Sequence, residues 1–247
     1  MFGKNFEKEN TAICFSGIGS STSFYALASK VVMSKDFCEN TQVVPLFVHN
    51  GKKWTKNITH WAIKTFREHY VDEHISSDDI FHYVYAVFHS ERYRKKYAVN
   101  LKKELPRILL MKDFWKIADL GEELMTLHLN YDIENPFALK RTEKPINDGR
   151  QNKLRLQADK KLGKIIIDDK TVLEGIPKEA WEYKLRTRSA IEWILDQYKN
   201  KTPKDQTLLK KFNNYDFENY KEEVIELIQK IVTVSIKTVR IMDAIES

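Results

Sequence analysis

Residues 12–20 read AICFSGIGS, a short apolar run followed by Phe15, Gly17 and Gly19 in the pattern F-x-G-x-G. After the first strand of a doubly wound α/β fold, such a loop closes around S-adenosylmethionine. In any other setting it is a turn. The cofactor reading needs a helix opening directly after the glycines and an acidic residue closing the next strand, to hold the ribose. SSTSFYALASK (20–30) has the length for that helix, but the next strand candidate, QVVPLFV (42–48), runs into His49 and Asn50 with no carboxylate.

The adenine-methyltransferase motif [DNS]-P-P-[YFW], which grips a flipped adenine, is also missing. The nearest approach, NPFA (135–138), is one proline short. Gly17 and Gly19 therefore read as a tight turn, and no cofactor is expected. A reduced methyltransferase built from FSGIGS and NPFA stays as the rival reading from the enzyme class. No G-x-x-x-x-G-K-[ST] phosphate loop or H-E-x-x-H helix is found, no stretch makes a convincing nuclease core of an acidic residue, a short spacer and E-x-K on a strand, and the seven histidines read as structural.

The bulk composition is that of an ordinary globular chain. It has 247 residues, 42% hydrophobic, 31% charged and 12% aromatic, enough for one large domain or two small lobes. A net charge of +6 and a pI near 9.0 lean toward a polyanionic partner. Cys14 and Cys38 form neither metal-ligand spacing nor a disulfide framework, as in a reduced cytoplasmic protein. No apolar run approaches the roughly 20 residues that span a bilayer. The opening MFGKNFEKEN lacks the apolar core of a secretion signal. The expectation is a soluble cytoplasmic protein.

Outward from the opening stretch, the pattern predicts a mixed α/β (α+β) fold: a helix-rich lobe, short strands forming a small sheet, and a long C-terminal helix. TAICFSG (11–17) and QVVPLFV read as strands. NITHWAIKTFREHY (57–70) spaces Ile58, Ala62 and Phe66 along one helical face, and SSDDIFHYVYAVFHS (76–90) does the same behind a serine cap. Ser90 reads as the cap of a second helix running to the Pro106 stop, and a third spans about 113–130. Between 135 and 176 the helical period gives way to KLRLQA, KIIID and TVLEGIP, short strands joined by turns. Helix returns at 177–184 and 189–199, a polar loop covers 200–217, and one long helix closes the chain. A single domain over 1–247 with lobes 1–134 and 135–247 fits this order.

Charge is uneven. Glu91–Lys112 holds eight basic residues and two acidic ones; Lys140–Lys170 holds ten and five. Two basic stretches make an electrostatic footprint for nucleic acid. Phosphate contacts are expected from Arg92, Arg94, Lys95, Lys102 and Lys103. In YKLRTRSAIEW (183–193), Lys184, Arg186 and Arg188 alternate ahead of Ser189, a helix cap whose free N–H groups would meet a phosphate. Arginine suits bidentate contact with guanine, so Arg186 and Arg188, then Lys184, are the candidate base readers. Ser20, Ser21 and Thr22 can hydrogen-bond a backbone phosphate. Lys52 and Trp54, in GKKWTKN, form an exposed basic-aromatic loop, with Trp54 alternatively packing at the core edge.

Several stretches, in order and over nearly the whole chain, resemble the C-terminal specificity domain of type ISP restriction–modification enzymes. Related segments occur in single-chain restriction–methyltransferase proteins. The pieces are GIGSS, NITHWAIKTFREHY, DIFHYVYAVFHSERYRKKYAVNLKKELPRI, DFWKIADLGEELMTLHLNYD, GIPKEAWEYKLRTRSAIEWILDQY and IVTVSIKTVRIMDAI. The resemblance implies a target recognition domain that reads duplex DNA without catalysis, its partners being methyltransferase and translocase regions in cis or in trans. The apolar face of 218–246 would pack there, or serve an interaction module. One departure stands out. The family usually has G-N-R-S ahead of the last-named helix, and this chain has Arg186-Thr187-Arg188-Ser189.

Overall fold

The computed structural model describes residues 10–31, 33–34, 37–49, 51–145, 152–200 and 215–247. The chain divides into two compact units, 1–130 with 240–247, and 131–239.

In the first unit, β1 (Ala12–Phe15) is buried along its whole length and sits between β2 (Ala26–Ser29) and β3 (Gln42–Pro45). Both pairings are antiparallel, with Ile13 opposite Ala28 on one side and Val44 on the other. A parallel crossover needs a dozen or more residues and a helix, whereas 16–25 is too short and ends in Phe24 and Tyr25, both buried. The segment after the glycines is a strand, not the helix a cofactor fold requires. QVVPLFV is also divided. β3 ends at Pro45, which has no N–H to extend a ladder. β4 (Phe47–His49) then pairs with β5 (Trp54–Lys56) as a hairpin.

Four helices follow, α1 (His60–Tyr70), α2 (Ser77–His89), α3 (Glu91–Lys96) and α4 (Phe114–Leu129); α2 and α4 pack on β2, and α1 and α3 pack on α2. Ser76 caps α2 in a reciprocal box with Asp79, as the sequence implied. Phe15, Phe24 and Phe88 meet with centroids 5.2–5.8 Å apart. α2 and α4 approach closely at Gly121, where an added Cβ would stand 2.0 Å from the His82 carbonyl oxygen. The helix predicted from Ser90 to Pro106 stops at Lys96. A short 3-10 turn, Asn100–Lys102, follows and buries Leu101.

The second unit holds a four-stranded antiparallel sheet in the order β6 (Lys140–Glu143), β9 (Thr171–Glu174), β8 (Lys164–Asp168), β7 (Leu154–Asp159). Ile165, Ile167, Leu173 and Leu156 fill its buried face. PKEAWEYK makes only a 3-10 turn, Lys178–Trp181, because the chain must enter the strand pair β10 (Lys184–Leu185) and β11 (Arg188–Ser189). α5 (Ala190–Gln197) follows. The last helix, α6 (Lys221–Glu246), is continuous through its β-branched middle. Val232, Val234, Ile236 and Val239 are all buried, so packing overrides their modest helix propensity. Most of the predicted 200–217 loop lies outside the described residues.

Candidate nucleic-acid interface

Each unit gathers part of the predicted set. In the first, the glycine stretch is a turn closed by the Ser20 amide donating to the Gly17 carbonyl at 3.2 Å. Gly19 has φ +79°, the value a type II turn needs at its third position, and a Cβ on Gly17 would stand 1.9 Å from the Asn40 carbonyl oxygen. The three hydroxyls behind the turn converge on one carboxylate. Glu39 accepts from Ser20 Oγ at 3.0 Å, Ser21 Oγ at 2.8 Å, Thr22 Oγ1 at 2.9 Å and the Ser21 amide at 3.0 Å. These bonds, the Ser21 amide foremost, hold the Glu39 pKa down to about 2. The donors predicted for a DNA phosphate already hold an anion of their own chain, and the loop is rigid for that reason.

Lys102 belongs to the same cluster. Its carbonyl accepts from the Gly19 amide at 2.9 Å, and its Nζ donates to the Ser21 carbonyl at 3.3 Å. Lys103 beside it is exposed. On α3 the basic residues divide by role. The Arg94 guanidinium turns inward to the His89 carbonyl at 2.9 Å, and Arg92 pairs with Glu246 at 3.4 Å, so both fasten the helix. Lys95 is exposed beside Glu91, 2.8 Å away one turn earlier. Trp54 lies half-buried with its ring against His49, centroids 5.2 Å apart, and Lys52 is exposed in the same hairpin.

In the second unit, Lys184 to Ser189 form a two-residue hairpin, with Lys184 opposite Ser189 and Leu185 opposite Arg188. Arg186, at the first turn position, has φ 64°, a conformation that favours glycine. Lys184 and Arg188 are exposed, and Arg188 reaches Asp196 at 3.4 Å. Ser189 caps α5 as expected, but it is fully buried. Its amide and hydroxyl both donate to Glu192, at 2.9 and 2.8 Å, while the hydroxyl accepts from the Glu192 amide. Lys160 completes the box, 2.8 Å from Glu192. Burial raises the Glu192 pKa, but the Lys160 and Ser189 bonds outweigh it and keep the group ionised. The helix start is thus closed by its own carboxylate. Ser189, expected as a phosphate-binding cap, has its amide and hydroxyl engaged within the chain.

Sequence reasoning missed Glu39 and Lys160, each brought to its partner from a distant segment with no local pattern to mark it. It also passed over Ile18, which the turn leaves 48% exposed between the two glycines.

The description of the Type ISP C-terminal specificity domain matches residues 1–227. A comparison with curated proteins returned no match. Among solved structures, the cryoEM structure of a DrdV–DNA complex aligns with TM-score 0.91 and 43% identity, over 98% of this chain and 25% of that one. A nuclease-deletion mutant of the Type ISP restriction-modification enzyme LlaGI, in complex with a DNA substrate mimic, aligns with TM-score 0.73 and 31% identity over 96% and 21%. The ATP-dependent Type ISP enzyme LlaBIII bound to DNA aligns with TM-score 0.77 and 26% identity over 97% and 16%. The chain therefore spans a quarter or less of the chains it resembles.

Proposed function

The chain belongs to the Type ISP C-terminal specificity domain family, and we propose that it recognises duplex DNA by sequence and carries out no catalysis of its own. Its partners are then the duplex and, in cis or in trans, the methyltransferase and translocase regions of a restriction–modification enzyme. That the similar structures are DNA complexes of longer enzymes supports this reading. No described helix is long and apolar enough to cross a membrane; a cytoplasmic site of action is part of the proposal.

The observation that carries the reading is the Lys184–Ser189 hairpin. Three cations fall within five residues on a turn whose base is locked by the Ser189–Glu192 box. Preorganised cations on a rigid hairpin suit base readout, because the donors reach the groove without first being ordered. Arg186 and Arg188 are the base readers, with Lys184 beside them. Lys95, Lys102 and Lys103 supply phosphate contacts that position the domain without reading sequence. Lys52 and Trp54 add a second basic-aromatic edge. Arg92 and Arg94 hold α3 in place, and Ser20, Ser21 and Thr22 act through Glu39.

Binding to a panel of duplexes that differ by single base pairs separates these roles. Arg188→Ala is expected to cost about 1–3 kcal/mol on the preferred duplex and to relax discrimination at one base pair. Lys103→Ala should weaken all duplexes alike and lower the salt slope by about 0.9. A uniform loss for Arg188→Ala would contradict its base-reading role.

A further inference from the structure

We infer that Ile18 is a specificity-determining residue that packs against the apolar surface of the bases in the sequence-specific complex, an inference that rests on the DNA-binding reading above. The glycines on either side are explained from within the fold: Gly19 by its positive φ, Gly17 by its approach to Asn40. Ile18 is not. It occupies the second position of the turn, where proline and polar residues are usual, and 48% of it faces solvent.

The turn that carries it is fastened at every side. The Gly17 amide donates to the Glu39 carbonyl, the Gly19 amide to Lys102, the Lys102 ammonium to Ser21, and three hydroxyls close on the Glu39 carboxylate. An apolar side chain on so rigid a support loses little freedom when it is buried by a partner.

The surroundings select the partner. Lys102 is an exposed cation at this turn, its Nζ 3.3 Å from the Ser21 carbonyl, Lys103 follows it in the chain and is also exposed, and Glu39, the carboxylate at the loop, already accepts from four donors. An apolar point beside an exposed cation matches a nucleic-acid groove, where phosphates flank apolar base surfaces such as the thymine methyl or the face of a base step. A membrane or an apolar protein face would ask for a broader apolar area than one isoleucine.

The test measures affinity of the wild-type chain, Ile18→Ala and Ile18→Lys for two duplexes of equal length. One is the duplex the wild type selects; the other is unrelated. Thermal melting of each protein runs alongside. Ile18→Ala should melt like the wild type and bind the selected duplex about tenfold or more weakly, the scale of exposing three carbons. Its binding to the unrelated duplex and its salt slope should not change. Ile18→Lys should lose selectivity while tightening on the unrelated duplex with a steeper salt dependence. If Ile18→Ala matches the wild type on both duplexes, or weakens both equally, the inference is overturned while the DNA reading stands. A wild-type chain without preference for any duplex overturns the DNA reading itself.

Discussion

Arg186 carries more information than any other residue of the second unit. A backbone φ of 64° at a residue other than glycine is of order 1–3 kcal/mol unfavourable, and such strain persists where the surroundings over-determine it. Here they do: the Leu185–Arg188 pairing and the Ser189–Glu192 box fix both ends of the turn. Arg186→Gly is therefore expected to raise unfolding stability in urea by about 0.5–1 kcal/mol, the strain relieved less the extra chain entropy of glycine. The same variant should bind the preferred duplex more weakly than the wild type. Equal or tighter binding would remove Arg186 from the reading set. Part of this was legible beforehand. Arginine stands where the family has glycine, and Ser189 with Glu192 three residues on spells a capping box. The sign of φ was not, since the residue type there argues against it. Glu39 was illegible for a different reason. Seventeen to nineteen residues separate it from the hydroxyls it gathers, and no short-range periodicity records such a contact.

At the level of elements, the long amphipathic segments were readable and the short ones less so. α1, α2 and α4 fall within the predicted spans because their apolar residues recur at helical spacing, with a fully buried face in α2 and α4 and Phe66 as the buried anchor of α1. The stretch 20–30 has the length of a helix and ALAS has no strand preference of its own; pairing with buried β1 makes Ala26–Ser29 a strand. The α2–α4 pair also carries a pH dependence. His89 and His128 are buried, with His128 Nδ1 2.6 Å from the Tyr85 hydroxyl and the two rings 5.5 Å apart. Burial holds His128 down to about 3, and burial, followed by the cost of a second proton beside the His128 ring and by the Arg94 charge, holds His89 well below 6.5. Both are neutral in the fold, whereas in the unfolded chain they take up protons near pH 6.5. The unfolded state then binds more protons below that pH, so stability is complete above it and falls as pH drops toward 3. Urea unfolding between pH 6.5 and 5, above the carboxylate range, should show a loss approaching about 1.4 kcal/mol per pH unit for each histidine. His128→Gln should reduce that slope by about half. A flat profile in this window would place the two rings in contact with solvent.

For the whole molecule, charge and selectivity have to be considered together. A net charge of +6 draws the chain to any polyanion, and that attraction alone gives salt-sensitive binding without preference. What separates a recognition domain from a basic globule is side chains fixed where they can meet base edges, the role proposed for Ile18 in the first unit and for Lys184, Arg186 and Arg188 in the second. The preferred sequence itself follows from the pairing of a few loop side chains with particular base edges, which neither composition nor periodicity encodes. The most direct measurement is selection of bound duplexes from a randomised pool by the purified chain at physiological salt. Enrichment of one asymmetric site several base pairs long is the predicted result. Salt-sensitive binding with no enriched sequence, or no binding at all, would contradict sequence recognition by this domain.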